Sequence, residues 1–213
     1  TLRRADMVTV STERLAQYYA DQNPRIRVLP NLVDPELFLP VRRKPRPFVR
    51  ILYSGTPTHE DDLRGIEPAL LEVKRRFGER VRFCFMGCAT RELAAMPQTE
   101  LINMQLDYRA YAATLSRCDA DLAIAPLEDH RFNRCKSNMK WLEYSACKIP
   151  AVYSDLPPYA DCIDQGDTGL LVGGDLSGWV EAISRLVENP DLRSELAERA
   201  HREVLADYAL SSG

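Results

Sequence analysis

The stretch from residue 132 to residue 144, with the sequence FNRCKSNMKWLEY, concentrates side chains that could bind a phosphorylated ligand. A helix is predicted to begin there with Ser137 as its N-cap, and the exposed amides and dipole of a helix start favour a bound anion. Three cations stand beside that helix start, enough to hold a diphosphate. They are Arg134, Lys136 and Lys140.

Glu143 follows Lys140 by three residues and so lies on the same face of the predicted helix. Its carboxylate would lie one turn deeper than the cations, where it could accept hydrogen bonds from two vicinal hydroxyls of a ribose. A helix start that binds phosphate, with a carboxylate one turn deeper that binds ribose, would together bind a nucleotide. The alternative interpretation is that Lys140 and Glu143 form an ordinary surface ion pair.

The loop Ser54-Gly55-Thr56 follows a predicted strand and precedes a helical pattern. A glycine at this point lets a phosphate approach backbone N–H groups closely, although an ordinary turn explains it equally. His59 lies further along the loop, facing the expected ligand crevice, and the acidic residues 60–62 suit the positive end of a helix. The chain has no GxGxxG and no Walker motif, which argues against dinucleotide and P-loop sites.

Neither the cysteines nor the acidic residues predict a metal site. The six cysteines form no CxxC pair, and their low density favours reduced thiols in a cytosolic protein. Asp119-Ala120-Asp121 has the DxD pattern by which some enzymes hold a divalent metal. It begins an apolar strand, at the end opposite the expected crevice, so a turn or cap role is predicted. We therefore expect no metal and no cofactor.

Apolar runs alternate with helical patterns from about residue 48 onward, which predicts right-handed βαβ units and a mainly parallel, doubly wound α/β sheet. Such sheets bind ligands at the C-terminal ends of their strands, which are followed here by loops 54–62, 87–91, 126–137 and 154–161. The predicted strands are 49–53, 81–86, 101–103, 120–125, 150–153 and 169–172. The predicted helices are 63–77, 108–116, 137–147, 176–188 and 190–208. Earlier strands at 6–10 and 26–29 flank a helix at 13–20 with Ser11 as its cap.

The whole chain has 213 residues, 45% of them hydrophobic, with 28 Lys and Arg against 31 Asp and Glu. At ~100–200 residues per domain, this length predicts one domain or one and a half. No apolar run approaches the ~20 residues that span a bilayer, which excludes an integral membrane protein. The near-neutral charge argues against a dedicated nucleic-acid binder. The start at Thr1, without Met, suggests an excised piece of a longer protein.

Several segments together resemble the GT-B glycosyltransferases of family 4, in a bacterial subgroup linked to surface polysaccharide synthesis. The resemblance implies a Rossmann-like doubly wound parallel sheet, the C-terminal domain of a GT-B fold. Residues 1–40 would then be the end of an N-terminal domain and the interdomain hinge, and residues 41–213 the donor-binding domain with its C-terminal helices. The segments are 5–11, 28–34, 145–152 (SACKIPAV), 166–172 (GDTGLLV), the loop 54–63 and the stretch 132–144.

By this resemblance, Glu143 binds the donor ribose, and Lys140 with the amides around Ser137 and Asn138 receives the donor diphosphate. Gly55 and Thr56 form the glycine-loop side of the same pocket. The sequence departs from the family at Cys135, where many members have a Glu that contacts the donor sugar, and at Thr56 and Asp61, where many have Arg and Lys. We hypothesise that Arg134, Lys136 and His59 compensate, which places His59 and Cys135 near the donor sugar.

The resemblance also implies hexosyltransferase-like chemistry: transfer of a sugar from a nucleoside-diphosphate donor to an acceptor hydroxyl, with retention and without a metal. A saccharide or lipid-linked acceptor would bind mostly to the missing N-terminal domain, so this fragment is expected to be inactive alone. The full-length protein is expected in the cytoplasm, with peripheral association at the inner face of the membrane. The alternative is a non-catalytic nucleotide-sugar-binding or assembly module, favoured by Cys135 and opposed by Lys140 and Glu143. A nucleotide-dependent epimerase or dehydrogenase is disfavoured by the missing GxGxxG and Tyr-xxx-Lys motifs.

Overall fold

A computed structural model describes residues 2–41, 43 and 45–210, and its main feature is a six-stranded sheet with the order β5-β4-β3-β6-β7-β8. Every neighbouring pair in this sheet is parallel. A separate parallel pair, β1-β2, precedes it. The strands are β1 (Val8–Val10), β2 (Ile26–Val28), β3 (Val49–Ser54), β4 (Val81–Met86), β5 (Glu100–Ile102), β6 (Leu122–Ala125), β7 (Ala151–Ser154) and β8 (Leu170–Val172).

Helices cover both faces of the large sheet, which confirms the predicted doubly wound α/β class. The helices are α1 (Glu13–Tyr19), α2 (Glu60–Arg64), α3 (Glu67–Phe77), α4 (Arg91–Ala94), α5 (Tyr108–Arg117), α6 (Arg131–Arg134), α7 (Met139–Ala146), α8 (Pro157–Ala160), α9 (Leu176–Glu188) and α10 (Pro190–Asp207). Short 3₁₀ turns lie at Leu2–Arg4, Pro57–His59 and Gly78–Arg80.

The strands are apolar because both of their faces are covered. All four residues of β6 and of β7 are buried. One face of the sheet packs on Trp141 and Tyr144 of α7, and the other packs on Leu70 of α3 and Ile183 of α9. The chain runs from β3 outward to β5 and then returns to β6 on the other side of β3. The order therefore reverses between β3 and β6, and a crevice opens where the loops after these strands diverge.

The segment between β2 and β3 crosses the surface of the sheet domain and contacts the end of the last helix. The Val33 N–H donates to Tyr208 O at 2.9 Å, and the Leu210 N–H donates to Val33 O at 2.9 Å. Phe38, only 1% exposed, packs into the same core as α7. The crossing segment is thus fixed to both α10 and the sheet domain. Thr1 and residues 211–213, at the outer ends of the two predicted domains, lie outside the described residues.

Helix boundaries differ from the sequence prediction where one residue changes the backbone. The predicted single helix 63–77 is broken into α2 and α3, because Pro68 lies at the start of α3 and proline has no N–H for a continuing helix. The cap of α1 is Thr12 rather than Ser11, and the Thr12 Oγ1 accepts from the Leu15 N–H at 3.2 Å. Two short helices, α6 and α8, lie within segments predicted as loops; Pro157 begins α8.

The predicted cap of α7 is also wrong. The helix begins at Met139 with Asn138 at the cap position, and no side chain caps it. Ser137 instead contacts the crossing segment, because its Oγ accepts a hydrogen bond from Asn31 Nδ2 at 2.6 Å. The first amides of α7 therefore stay open. Among the residues described, no acceptor takes the N–H groups of residues 137–140.

Candidate functional site

A cleft of about 250 Å³ lies at the C-terminal ends of β3 and β4, between the starts of α5 and α7. We call it the Glu143 cleft. Its position is the one that the reversal of strand order predicts for a ligand. Its lining includes Thr56, His59, Tyr108, Tyr111, Lys140 and Glu143.

Glu143 is 6% exposed, and two tyrosines of α5 hold its carboxylate. The Tyr111 hydroxyl donates to Oε2 at 2.8 Å, and the Tyr108 hydroxyl donates to Oε1 at 3.4 Å. Burial raises the pKa of Glu143, although the hydrogen bond from Tyr111, the charge of Lys140 and the hydrogen bond from Tyr108 oppose that rise. Sequence analysis missed both tyrosines. Their i, i+3 spacing puts them on one helical face, but nothing in the sequence indicates which residue that face meets.

Lys140 lies beside Glu143 without forming the surface ion pair that the sequence left open. Its Nζ donates to the backbone oxygen of Ser54, at the end of β3. Burial lowers the pKa of Lys140, while the nearby Glu143 carboxylate raises it. The ion-pair alternative is therefore wrong, because the ammonium group joins β3 to α7 inside the cleft.

Gly55 lines the cleft, but its own amide is occupied. The Gly55 N–H donates to Met86 O at 2.9 Å. A Cβ at this position would lie 2.6 Å from the Tyr53 hydroxyl, so the residue must be small for the loop to pack on that ring. The N–H of the next residue, Thr56, has no acceptor within the described part of the chain. Thr56 is therefore the residue of this loop with a backbone donor available to a ligand.

A second cleft, of about 420 Å³, separates the start of α7 from α1 and from the crossing segment. We call it the Ser137 cleft. Its lining includes Asn31, Arg134, Lys136, Ser137 and Asn138. Of the predicted diphosphate-binding residues, Gly55, Thr56 and Lys140 line the Glu143 cleft, whereas Arg134, Lys136, Ser137 and Asn138 line the Ser137 cleft.

Arg134 and Lys136 have different surroundings. Arg134 forms a two-pronged ion pair with Asp129, with distances of 2.5 and 2.7 Å, and is exposed. The structure does not bring it together with Lys140. Lys136 points between the two clefts, with Nζ 3.3 Å from His59 Nδ1 and 3.6 Å from the carboxylate of Asp62. Of these two cations, Lys136 is the one that can serve a ligand spanning both clefts.

Asp62 joins the loop after β3 to the loop after β6. Its carboxylate accepts from His59 Nδ1 at 2.8 Å, from Asn133 Nδ2 at 2.6 Å and from the Glu128 N–H at 2.8 Å. Burial opposes ionisation, but these hydrogen bonds and the charge of Lys136 outweigh it and lower the pKa of Asp62 to about 2. Asp62 therefore orients His59, whose Nδ1 proton it accepts. The sequence interpretation of Asp62 as a helix-end charge missed this role.

Cys135 is half-buried and lies between Arg134 and Lys136, which line the Ser137 cleft. Its backbone oxygen accepts a hydrogen bond from Thr12 Oγ1 at 3.1 Å. The chain before β2 thus contacts the loop that carries Lys136 and Ser137.

The two aspartates of the DxD pattern have structural partners, which confirms their predicted turn role. Arg46 bonds to Asp119 and, at 2.7 Å, to Asp121, whose carboxylate also accepts from the Arg50 N–H at 2.7 Å. They lie at the N-terminal end of β6, away from both clefts. Within residues 2–41, 43 and 45–210, no group of three His, Cys, Asp or Glu side chains is placed to hold a metal ion. Over the same residues, no helix has the length and apolar character needed to cross a membrane.

Comparison with known families identifies the chain. A family model described as "Glycosyl transferase-like" matches residues 68–212. The chain belongs to this family. The match covers β4 to α10 and so contains α5 and α7, which carry Tyr108, Tyr111, Lys140 and Glu143.

One curated relative of this glycosyl transferase-like chain is the D-inositol 3-phosphate glycosyltransferase of Corynebacterium jeikeium, 33% identical over 111 residues. Those residues are 52% of this chain and 22% of the relative, so the chain spans well under half of the length of that enzyme.

Solved structures show that the fold is that of GT-B glycosyltransferase C-terminal domains. The C-terminal domain of a group 1 glycosyl transferase (LpcC) from Francisella tularensis has a TM-score of 0.65 and 15% identity, over 84% of this chain and 100% of that domain. Anabaena HepE in complex with UDP and glucose has a TM-score of 0.73 and 12% identity, over 98% of this chain and 60% of HepE. S. aureus TarM, in complex with UDP and saccharide ligands, has a TM-score of 0.72 and 19% identity, over 97% of this chain and 42% of TarM.

Proposed function

We propose that the Glu143 cleft binds the nucleoside diphosphate of a nucleotide-sugar donor, and that the full-length protein transfers the sugar to an acceptor hydroxyl with retention. One observation carries this proposal: a buried carboxylate, Glu143, and an ammonium group, Lys140, lie on adjacent turns of α7 at the switch point of the sheet. Open amides at the start of the same helix lie next to them. Vicinal hydroxyls suit the carboxylate, and a diphosphate suits the ammonium group and the amides.

The donor would lie along α7. Its ribose contacts Glu143, and its diphosphate contacts Lys140, the Thr56 N–H and the amides at the start of α7. The sugar end then points toward the gap between the two clefts, where Lys136 and His59 meet at 3.3 Å. His59 donates its Nδ1 proton to Asp62, so its Nε2 is the ring atom available to the ligand.

Transfer requires the anomeric C–O bond to break while negative charge develops on the leaving diphosphate. The cations and amides at the start of α7 stabilise that charge more in the transition state than in the ground state. This chemistry proceeds without a metal. The acceptor, a saccharide or lipid-linked hydroxyl, would enter from the side of the Ser137 cleft. We also propose that the protein belongs to glycosyltransferase family 4, on the motifs given above. The binding of UDP by HepE and TarM and the transferase activity of the C. jeikeium relative support a nucleotide-sugar donor.

Calorimetric titration with UDP, GDP and TDP tests the site. We expect one of these nucleotides to bind and Glu143→Ala and Lys140→Ala each to weaken its binding by about tenfold or more, because each removes a charged hydrogen-bonding partner. Glu198→Ala is the matched control, since Glu198 is an exposed carboxylate on α10 that pairs with Lys148. Absence of nucleotide binding, or equal binding by all three variants, contradicts the proposal.

A further inference from the structure

A chain of hydrogen bonds runs from the backbone of β3 to the floor of the Glu143 cleft. The Ser54 N–H donates to the Tyr144 hydroxyl at 3.2 Å, and that hydroxyl lies 2.9 Å from Ser54 Oγ. Ser54 Oγ in turn lies 3.2 Å from the Tyr111 hydroxyl, which is 2.8 Å from Glu143 Oε2. Ser54 and Tyr144 are almost completely buried, so water does not compete for these bonds.

The chemistry of the two ends gives this chain one direction. An ionised carboxylate only accepts, so the Tyr111 hydroxyl donates to Glu143. The Tyr111 oxygen then accepts a hydrogen bond from the Ser54 hydroxyl. Ser54 Oγ must therefore accept a hydrogen bond from the Tyr144 hydroxyl. The Tyr144 oxygen accepts the backbone N–H of Ser54, which can only donate. Each hydroxyl thus donates once and accepts once along the chain, an arrangement in which successive bonds polarise one another.

The rings of the two tyrosines that contact Glu143 also pack against a third aromatic ring. Phe38 of the crossing segment packs edge-on against Tyr108 and Tyr111, with ring centroids 5.5 and 6.2 Å away. Each carboxylate oxygen of Glu143 already accepts one tyrosine hydroxyl, and each keeps lone-pair capacity for a further donor. Two vicinal hydroxyls of a ribose match those two remaining positions.

We propose that Tyr111, supported by Ser54 and Tyr144, is a positioning residue that holds the Glu143 carboxylate oriented as a double acceptor for the ribose hydroxyls. The donor is accordingly a ribonucleoside diphosphate rather than its 2′-deoxy counterpart. This inference rests on the proposed function of the Glu143 cleft. It adds a group from β3 and one from α5 to the ribose-binding part of the site, for which the sequence named only Glu143 on α7.

The proposal predicts a pH dependence with a definite sign. The groups facing Glu143 are Tyr108 and Tyr111 from α5, with Lys140 and Tyr144 from α7. Burial raises the pKa of Tyr111 well above its ordinary value, so it remains a protonated donor at every pH of interest. Its hydrogen bond lowers the pKa of Glu143, and its removal therefore raises that pKa further. Ribose binding would then be lost at a higher pH as the solution is acidified.

The test compares Tyr111→Phe with Tyr159→Phe, which removes the hydroxyl of a buried tyrosine in the core that Tyr111 packs against. We expect Tyr111→Phe to raise the pKa of Glu143 by roughly one unit. This pKa is measured in the free protein from the ¹³C chemical shift of the Glu143 carboxyl group. We expect the affinity of Tyr111→Phe for UDP, or for GDP if GDP is the nucleotide that binds, to be near wild type at pH 8 and to fall below wild type progressively as the pH is lowered, by at most about tenfold. Tyr159→Phe should follow the wild-type profile.

A second ligand pair and a second variant complete the test. Wild type should bind the ribonucleotide at least about tenfold more tightly than its 2′-deoxy analogue, and Tyr111→Phe should reduce that preference. Ser54→Ala interrupts the same chain of hydrogen bonds and should shift the pH dependence of nucleotide affinity in the same direction. This variant keeps the proposal testable if Tyr111→Phe does not fold. An unchanged Glu143 titration, or a loss of affinity that is the same at every pH, overturns the role of Tyr111 while leaving the nucleotide site intact. If wild type binds no nucleotide, the proposed function fails and this inference fails with it.

Discussion

Asp62 lies in the first turn of α2, a position where a carboxylate ordinarily stabilises a helix end. In the structure it is buried and accepts hydrogen bonds from three groups on two loops. The neighbouring Asp61 is exposed and lies 3.7 Å from Arg64. Two adjacent aspartates thus have different roles, and the difference arises from which one the helix turns toward the loop after β6.

Replacing Asp62 should change both stability and its pH dependence. The pKa of Asp62 is about 2 in the folded protein and near its ordinary 3.8 when unfolded, so ionisation favours the folded state. That stabilisation, about 2 kcal/mol, is fully present above about pH 4 and is lost as the pH falls toward 2. Urea denaturation should show Asp62→Asn less stable than wild type at pH 7, with the gap narrowing toward pH 2.

Asp61→Asn is the control for that measurement, because it alters a carboxylate on the same turn that stays in water. Its free energy of unfolding should stay within about 0.5 kcal/mol of wild type. If Asp61→Asn and Asp62→Asn lose equal stability at pH 7, the buried hydrogen bonds of Asp62 do not stabilise the fold as described.

At the scale of elements, the start of α7 is positioned by a segment more than a hundred residues away. Asn31, just after β2, donates to Ser137 Oγ at 2.6 Å, and Thr12 donates to Cys135 O at 3.1 Å. No side chain caps α7 itself, so its first turn depends on these contacts for its orientation. The helix whose open amides line the candidate site is therefore coupled to the crossing segment.

Asn31→Ala should loosen the start of α7 without unfolding the sheet domain. We expect faster hydrogen–deuterium exchange in peptides covering residues 135–140, because local opening costs less when a tertiary hydrogen bond is lost. Asn189→Ala provides the comparison, since Asn189 caps α10 through its bond from the Leu192 N–H at 2.9 Å. That variant should accelerate exchange at the start of α10 and not at 135–140. Unchanged exchange at 135–140 in Asn31→Ala would show that the contact does not restrain the helix.

At the scale of the whole molecule, the two clefts lie on either side of the loop that carries Lys136. The Glu143 cleft is built from the sheet domain alone, with lining from β3, β4, α5 and α7. The Ser137 cleft takes part of its lining from residues 11–14 and 28–31. Under the proposed function, a donor nucleotide would need only the sheet domain, whereas a transferred sugar would reach a boundary between two parts of the chain.

Under the proposed function, this division predicts that residues 1–213 bind a nucleotide but transfer little or no sugar, whereas a longer protein that also holds the acceptor would do both. The physical reason is that the proposed nucleotide site uses α5 and α7, while transfer requires an acceptor hydroxyl held against the donor sugar. Nucleotide affinity by calorimetry and transfer by release of nucleoside diphosphate should be measured on both proteins. Transfer at the full rate by residues 1–213 would contradict the prediction.

The sequence by itself determined the parallel α/β architecture, because both faces of each central strand are apolar and the helical spacing between strands leaves few alternatives. It also located Lys140 and Glu143, since their i, i+3 spacing and their place after a β-strand are local properties. Only the tertiary structure decided that Arg134 pairs with Asp129, that Ser137 meets Asn31, and that Asp62 joins two loops. It likewise decided that Tyr111 meets Glu143. Apart from the pair of Arg134 and Asp129, which are five residues apart, these contacts join residues distant in the chain. No local pattern records which polar group a side chain will meet when packing removes it from water.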